Sequence, residues 1–173
     1  MKTLMLRVDS VNPDSAEIQA AAQIIRNGGL VAFPTETVYG LGADALNAKA
    51  VLRLFEAKKR PLDNPPIVHI ADFSEVYSLV EGVSEKAELL MEQFWPGPLT
   101  LILPRRPEVA PAAAGGQASV GLRVPAHPQA LALLQACAER GVHGLAAPSA
   151  NRFGKVSPTS AAHVADEFGT SVP

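Results

Sequence analysis

Leu30-Val-Ala-Phe-Pro-Thr-Glu-Thr37 is a short apolar run that ends at a proline and passes straight into a polar turn. Four apolar residues between Gly28-Gly29 and Pro34 match the length of a buried strand, not a helix, and the turn that follows is delivered at the strand's end. Upstream, Asn12-Pro13-Asp14-Ser15 supplies a cap with proline at the first helical position, and Ile18, Ala21, Ala22 and Ile25 recur at helical spacing. Downstream, Asn47 caps a second helix whose apolar Val51, Leu52 and Phe55 face inward and whose end carries Lys58, Lys59 and Arg60 before Pro61 closes it.

The alternation continues along the chain. Ile67 to Ile70 reads as a strand, Glu75 to Val80 and Glu85 to Phe94 as helices, and Trp95-Pro96-Gly97-Pro98 as a breaker with Trp95 a packing anchor. Leu99 to Leu103 is a strand, Pro107 to Ala118 a Pro, Ala and Gly-rich mobile loop, and Ser119 to Val124 a strand of alternating polarity. Pro128 to Arg140 is a helix stopped by Gly141, Gly144 to Ala147 a short strand, and Ser160 to Phe168 a last helix. Strands alternating with helices predict an α/β layered domain. At 173 residues a single domain over 1–173 is expected.

The 47% hydrophobic and 18% charged fractions are those of an ordinary globular chain, and a net charge of -2 argues against binding nucleic acid by bulk charge. One cysteine, no signal-like N-terminus and no apolar run of membrane-spanning length predict a cytoplasmic protein. Cys137, inside the apolar run Leu131 to Ala138, reads as a small core residue. Gly40-Leu-Gly42-Ala-Asp-Ala45 fits a dinucleotide fingerprint loosely but lacks the acidic residue on the next strand, and no Walker loop is present. The four histidines lack the close paired spacing of a dedicated metal site.

Three constellations suit anionic ligands. Lys58, Lys59 and Arg60 sit where cations also serve simply to cap a helix end; Pro61 and the rigid Asn64-Pro65-Pro66 loop favour a ligand role. Successive helix residues point about 100° apart, so Lys58 and Arg60 are expected to face a pocket while Lys59 projects into water. In Ser119-Val-Gly-Leu-Arg-Val124, alternation puts Ser119, Gly121 and Arg123 on one face, with the glycine leaving room beside a guanidinium that can grip a carboxylate or phosphate; an exposed strand face is the plainer reading. Pro148-Ser149-Ala150-Asn151, with Gly154 to Thr159 after it, follows a buried strand: its polar groups either form turns or converge with Lys155 on phosphate or magnesium.

Taken in order, Pro34-Thr-Glu-Thr-Val-Tyr-Gly-Leu41, Lys58-x-Arg60-Pro, Asn64-Pro, His69, Ser119-x-x-x-Arg123-x-Pro125 and Ser149-Ala-Asn151 resemble the YrdC family over about Ile18 to Thr159, in a version closer to its longer, two-domain members. The resemblance implies a twisted, mostly parallel open sheet flanked by helices around a concave basic cavity. It implies a nucleotidyltransferase that makes L-threonylcarbamoyl-AMP and pyrophosphate from L-threonine, bicarbonate and ATP with Mg2+, for a separate transferase complex that modifies tRNA. By the same resemblance Thr35, His69 and Arg123 hold threonine, and Lys58, Arg60, Asn64, Ser119, Ser149, Asn151 and Ser157 hold ATP, with Lys58, Arg60, Ser149 and Asn151 the catalytic set. The family continues beyond the last helix, so a chain stopping at Thr170-Ser-Val-Pro173 is expected to be truncated at its C-terminus. Two alternatives stand beside this reading: the carbamoyl-adenylate chemistry of hydrogenase maturation, and an RNA-binding module using the cavity's rim. Sparse aromatics give the latter little support.

Overall fold

The computed structural model describes residues 3–9, 15–170 and 172. Six strands and six helices alternate along it: α1 Ala16–Arg26, β1 Val31–Phe33, β2 Gly40–Asp44, α2 Ala48–Lys58, β3 Val68–His69, α3 Val76–Leu79, α4 Glu85–Phe94, β4 Leu101–Pro104, β5 Ser119–Arg123, α5 Pro128–Ala138, β6 Leu145–Ala146 and α6 Ala161–Phe168. The strands form one open sheet in the order β1-β2-β6-β3-β5-β4. The α/β class and the open sheet agree with the sequence; the expected parallel pairing does not. Only β3 and β5 run parallel, and the other four pairings are antiparallel. No α-helix separates β1 from β2 or β4 from β5, and β6 inserts antiparallel between β2 and β3. Parallel pairing needs a crossover of about a dozen residues or more, so the short turn from β1 to β2 returns antiparallel.

Two apolar clusters cover the sheet's faces. Ile18, Ala22 and Ile25 of α1 pack with Leu133, Leu134 and Cys137 of α5 over Phe33 and Leu145. On the other face Val51, Leu54 and Phe55 of α2 and Val164 and Phe168 of α6 share a core with Leu41, Val68 and Leu122. Leu41, Leu122 and Leu145 are fully buried, each contributing about 1.5–3 kcal/mol relative to exposure. The Cys137 thiol is buried, and burial pushes its pKa up to about 12. Trp95 anchors the breaker by donating its indole N–H to the Leu99 carbonyl at 2.7 Å. Among the described residues no helix is long and apolar enough to cross a membrane.

Helix ends follow the residues. Ser15 caps α1 by accepting from the Ile18 amide; the proposed cap at Asn12 to Asp14 lies outside the described residues. Asn47 accepts from the Lys49 and Ala50 amides at 3.1 and 3.2 Å and opens α2. Pro107 to Ala118 is packed, not free: it winds through a 3-10 turn at Pro111–Ala113, buries Val109, Ala110 and Ala113, and is pinned by Arg105, which donates to the Pro107, Val109 and Gln117 carbonyls. Gly40 to Asp44 is a strand that the Gly-rich sequence conceals. A Cβ on Gly42 would come within 2.8 Å of the Phe33 ring, so the glycine is what lets Phe33 lie across β2.

Candidate active site

The site begins where β1 runs out of hydrogen-bond donors. Pro34 ends the strand, and Thr35 closes the following turn by accepting from the Thr37 amide at 3.2 Å and donating to the Val38 carbonyl at 2.7 Å. The chain then returns as β2, and the Leu41 amide reaches across to the Pro148 carbonyl while the Ala150 amide donates to that of Tyr39. These bonds draw the 34–39 turn and the 147–151 loop to one side of the sheet. β3 supplies the rest: parallel pairing sets His69 opposite Arg123, on strands about 4.8 Å apart.

Between these segments lies a cavity of about 420 Å³ lined by Thr35, Thr37, Arg60, His69, Arg123 and Ser149 together with Val38 to Gly40, Pro65 to Ile67, Ala147 and Pro148. Its size is that of a small-ligand site. A second cleft of about 490 Å³, between residues 3–8, α1, β1 and α6, is mainly aliphatic. The convergent polar groups belong to the first, and the chemistry is assigned there.

The helix-end cations separate as their geometry demands. Lys59 adopts a left-handed conformation with φ 52°, so the chain turns sharply at the end of α2 and the Arg60 amide reaches back to the Phe55 carbonyl at 3.0 Å. Lys59 is exposed, while Arg60 enters the cavity and is braced by the Asn64 carbonyl at 2.8 Å, the Asn64 Oδ1 at 2.9 Å and the Pro65 carbonyl at 3.3 Å. Lys58 departs from expectation. It is fully buried, does not line the cavity, and donates its ammonium to the Ser149 and Asn151 carbonyls, clamping the 149–151 loop onto α2. Burial, with Arg60 nearby, lowers its pKa to about 8.

Arg123 is buried and held by the Gly97 carbonyl through Nε at 3.1 Å. Its Nη2 donates to Glu36 Oε1 and, at 3.3 Å, to Thr37 Oγ1. Glu36 Oε2 in turn accepts from the Ala126 amide at 3.1 Å. Burial alone would raise the Glu36 carboxyl, but Arg123 and the backbone donors outweigh it and hold the group below its usual range. Glu36 therefore offsets the charge of Arg123, while Arg60 enters the cavity lining with no carboxylate paired to it among the described residues. His69 is fully enclosed; burial and then Arg123 push its imidazole down to about 3, so it is neutral, and its buried Nδ1 has no hydrogen-bond partner. The Phe33 ring meets it edge-on, with centroids 6.1 Å apart.

Of the residues singled out in the sequence, Thr35, Arg60, His69, Arg123 and Ser149 meet in the cavity. Asn64 stands behind Arg60 as its brace. Ser119 lies at the far end of β5, four residues or roughly 13 Å from Arg123, outside the cavity lining. The space at Gly121 is bounded by Thr100 and Ile67 side chains, which take up the gap the glycine was expected to leave. Asn151 is buried, its Nδ2 donating to the Arg152 and Lys155 carbonyls while Oδ1 is unpartnered. Ser157 and Lys155 are exposed on the loop beyond. Glu36 and Thr37 are partners of Arg123 to which the sequence assigned no role. The signal was Arg123 itself, since a guanidinium on a buried strand requires an acceptor.

Residues 23–173 match the family of Sua5, YciO and YrdC proteins described as "Telomere recombination". The chain is 55% identical over 152 residues to the threonylcarbamoyl-AMP synthase of Pyrococcus abyssi, covering 88% of this chain and 44% of that protein. It is 51% identical over 161 residues to the threonylcarbamoyl-AMP synthase of Bacillus subtilis, covering 92% of this chain and 45% of that one. The crystal structure of P. abyssi Sua5 complexed with L-threonine superposes with a TM-score of 0.87 at 49% identity, over 97% of this chain and 47% of that one. The chain thus spans less than half the length of these relatives.

Proposed function

The chain belongs to the Sua5/YciO/YrdC family, and from that premise we propose that it forms L-threonylcarbamoyl-AMP and pyrophosphate from L-threonine, bicarbonate and ATP. The observation that carries this is the convergence in one cavity of a carboxylate-binding guanidinium, Arg123, with a second, Arg60, beside the Ser149 loop. Arg123 and Thr35 would hold the amino acid, with the neutral His69 offering a hydrogen bond in place of a competing charge. Arg60 and the Ser149 to Asn151 loop would take the nucleotide. The threonine nitrogen bonds to the bicarbonate carbon with loss of water, giving a carbamate. A carbamate oxygen then attacks the α-phosphorus, the bond from that phosphorus to the bridging oxygen breaks, and pyrophosphate departs with its electron pair.

No side-chain nucleophile is required. Two anions must be brought together and the charge on the phosphates must be met, which is work for fixed cations and oriented donors. Among the described residues no group of three or more His, Cys, Asp or Glu could hold a metal ion. Magnesium would arrive on the nucleotide's phosphates, beside Arg60 and Ser149. The mixed anhydride is a substrate for a separate transferase acting on tRNA.

The test is ATP-pyrophosphate exchange in the presence of threonine and bicarbonate. Exchange that depends on both, falls at least about tenfold in Arg60→Ala and stays near normal in Lys59→Ala is expected. Exchange that ignores threonine would point to simpler carbamoyl-adenylate chemistry, and none at all would end the proposal.

A further inference from the structure

Arg123 carries the chemistry expected of a carboxylate receptor, and a carboxylate of this chain is already on it. The guanidinium is anchored through Nε to the Gly97 carbonyl, while Nη2 is shared by Glu36 and Thr37; among the described residues none hydrogen-bonds Nη1. An amino-acid carboxylate entering the cavity can reach Nη1, but a two-pronged grip also needs Nη2. The two carboxylates would then share one cation at close range, which like charge disfavours.

The two partners are not enclosed equally. The Arg123 side chain is 8% exposed and tied to backbone, whereas that of Glu36 is 23% exposed, on a turn whose own fold is secured by Thr35 through its bonds to the Thr37 amide and the Val38 carbonyl. Glu36 can swing to water, where its charge is solvated, without unravelling the turn. Its second oxygen would leave the Ala126 amide as it goes.

We propose that Glu36 is a built-in competitor for the amino-acid carboxylate: it holds Arg123 in place, gives way when that carboxylate binds, and thereby sets the affinity and releases the 34–39 turn from Ala126. The inference rests on the reading of Arg123 as the carboxylate-binding group. Glu36 is a positioning and specificity residue in this scheme. A ligand without a carboxylate has nothing with which to displace it, so the latch favours amino acids over amines of the same shape.

Calorimetric titration of L-threonine into the chain and into Glu36→Gln tests the competition, and the exchange rate of the Ala126 amide, followed by NMR in the unmodified chain, tests the movement. Removing the competitor raises the fraction of molecules ready to bind, so Glu36→Gln should bind threonine roughly threefold to thirtyfold more tightly. The Ala126 amide should lose protection at saturating threonine. Equal or weaker binding by a Glu36→Gln protein of unchanged melting temperature overturns the proposal, because Glu36 would then be a direct contact of the amino acid. So does an Ala126 amide that stays protected when threonine is bound, a result that does not depend on any variant folding. Where neither chain takes up threonine, acetate at high concentration separates the two ideas: if acetate frees the Ala126 amide, the competition stands and the assigned substrate is at fault; if it does not, the competition fails.

Discussion

His69 is a histidine that the site keeps from being a cation. Its ring is enclosed between Phe33 and Arg123, and burial followed by the arginine lowers its pKa to about 3 against 6.5 in the unfolded chain. The unfolded state therefore takes up a proton between pH 6.5 and 3 that the native state refuses, and stability from this residue is present above about 6.5 and lost as pH falls toward 3. Replacement by glutamine, which has no such titration, should flatten that part of the stability-pH curve, measured by urea unfolding at pH 4 to 7. An unchanged slope would mean that the imidazole is charged in the fold. The neutral ring also explains why a histidine can sit next to the residue assigned to a carboxylate without weakening its selectivity: a second cation would draw phosphate as readily as the amino acid. His69 was legible in the sequence as part of a motif, but its protonation state was not, because that depends on what β5 lays beside it.

At the scale of the element, the end of α2 decides where three consecutive basic residues go. The left-handed turn at Lys59 sends Arg60 into the cavity and leaves Lys58 beneath the 149–151 loop, where two carbonyls accept from it. Lys58→Met keeps the bulk of the side chain and removes both donors, so it should cost about 1–3 kcal/mol through buried carbonyls left unsatisfied. Because the Lys58 pKa is lowered to about 8 from 10.5, native protein binds less proton than unfolded protein between those values, and stability rises with pH across that window. The gap between wild type and Lys58→Met should accordingly widen from pH 8 to 10, as read by chemical denaturation; a constant gap would place the ammonium in water. The helix, its cap at Asn47 and its cationic end were all readable from side-chain spacing and turn chemistry. That Lys58 would turn from the cavity was not, since its partners lie more than ninety residues further along the chain. The strand Gly40 to Asp44 was hidden for a related reason: two glycines in five residues carry no strand propensity, and only Phe33 packing over Gly42 reveals why they are there.

For the whole molecule, the sequence correctly implied strands and helices layered into one α/β unit with an open sheet, because periodicity and breakers are local properties. Strand direction is not local, and the expectation of parallel pairing failed where β1 meets β2, where β4 meets β5 with no α-helix between them, and on both sides of β6. The two covered faces of the sheet have a practical consequence through the chain's one cysteine. Cys137 lies inside the layer formed by α1 and α5, and its thiol, raised to about 12, offers almost no thiolate to a reagent at neutral pH. Maleimide should leave the folded chain unlabelled and modify it once under denaturing conditions, which intact-mass spectrometry would read directly; labelling of the native protein would mean that the α1-α5 layer opens. A cysteine introduced for Val156, 92% exposed on the loop beyond Asn151, would then be the single reactive thiol. The native protein thus offers a silent background for a fluorophore, and one placed there would report in real time on the loop as nucleotide arrives.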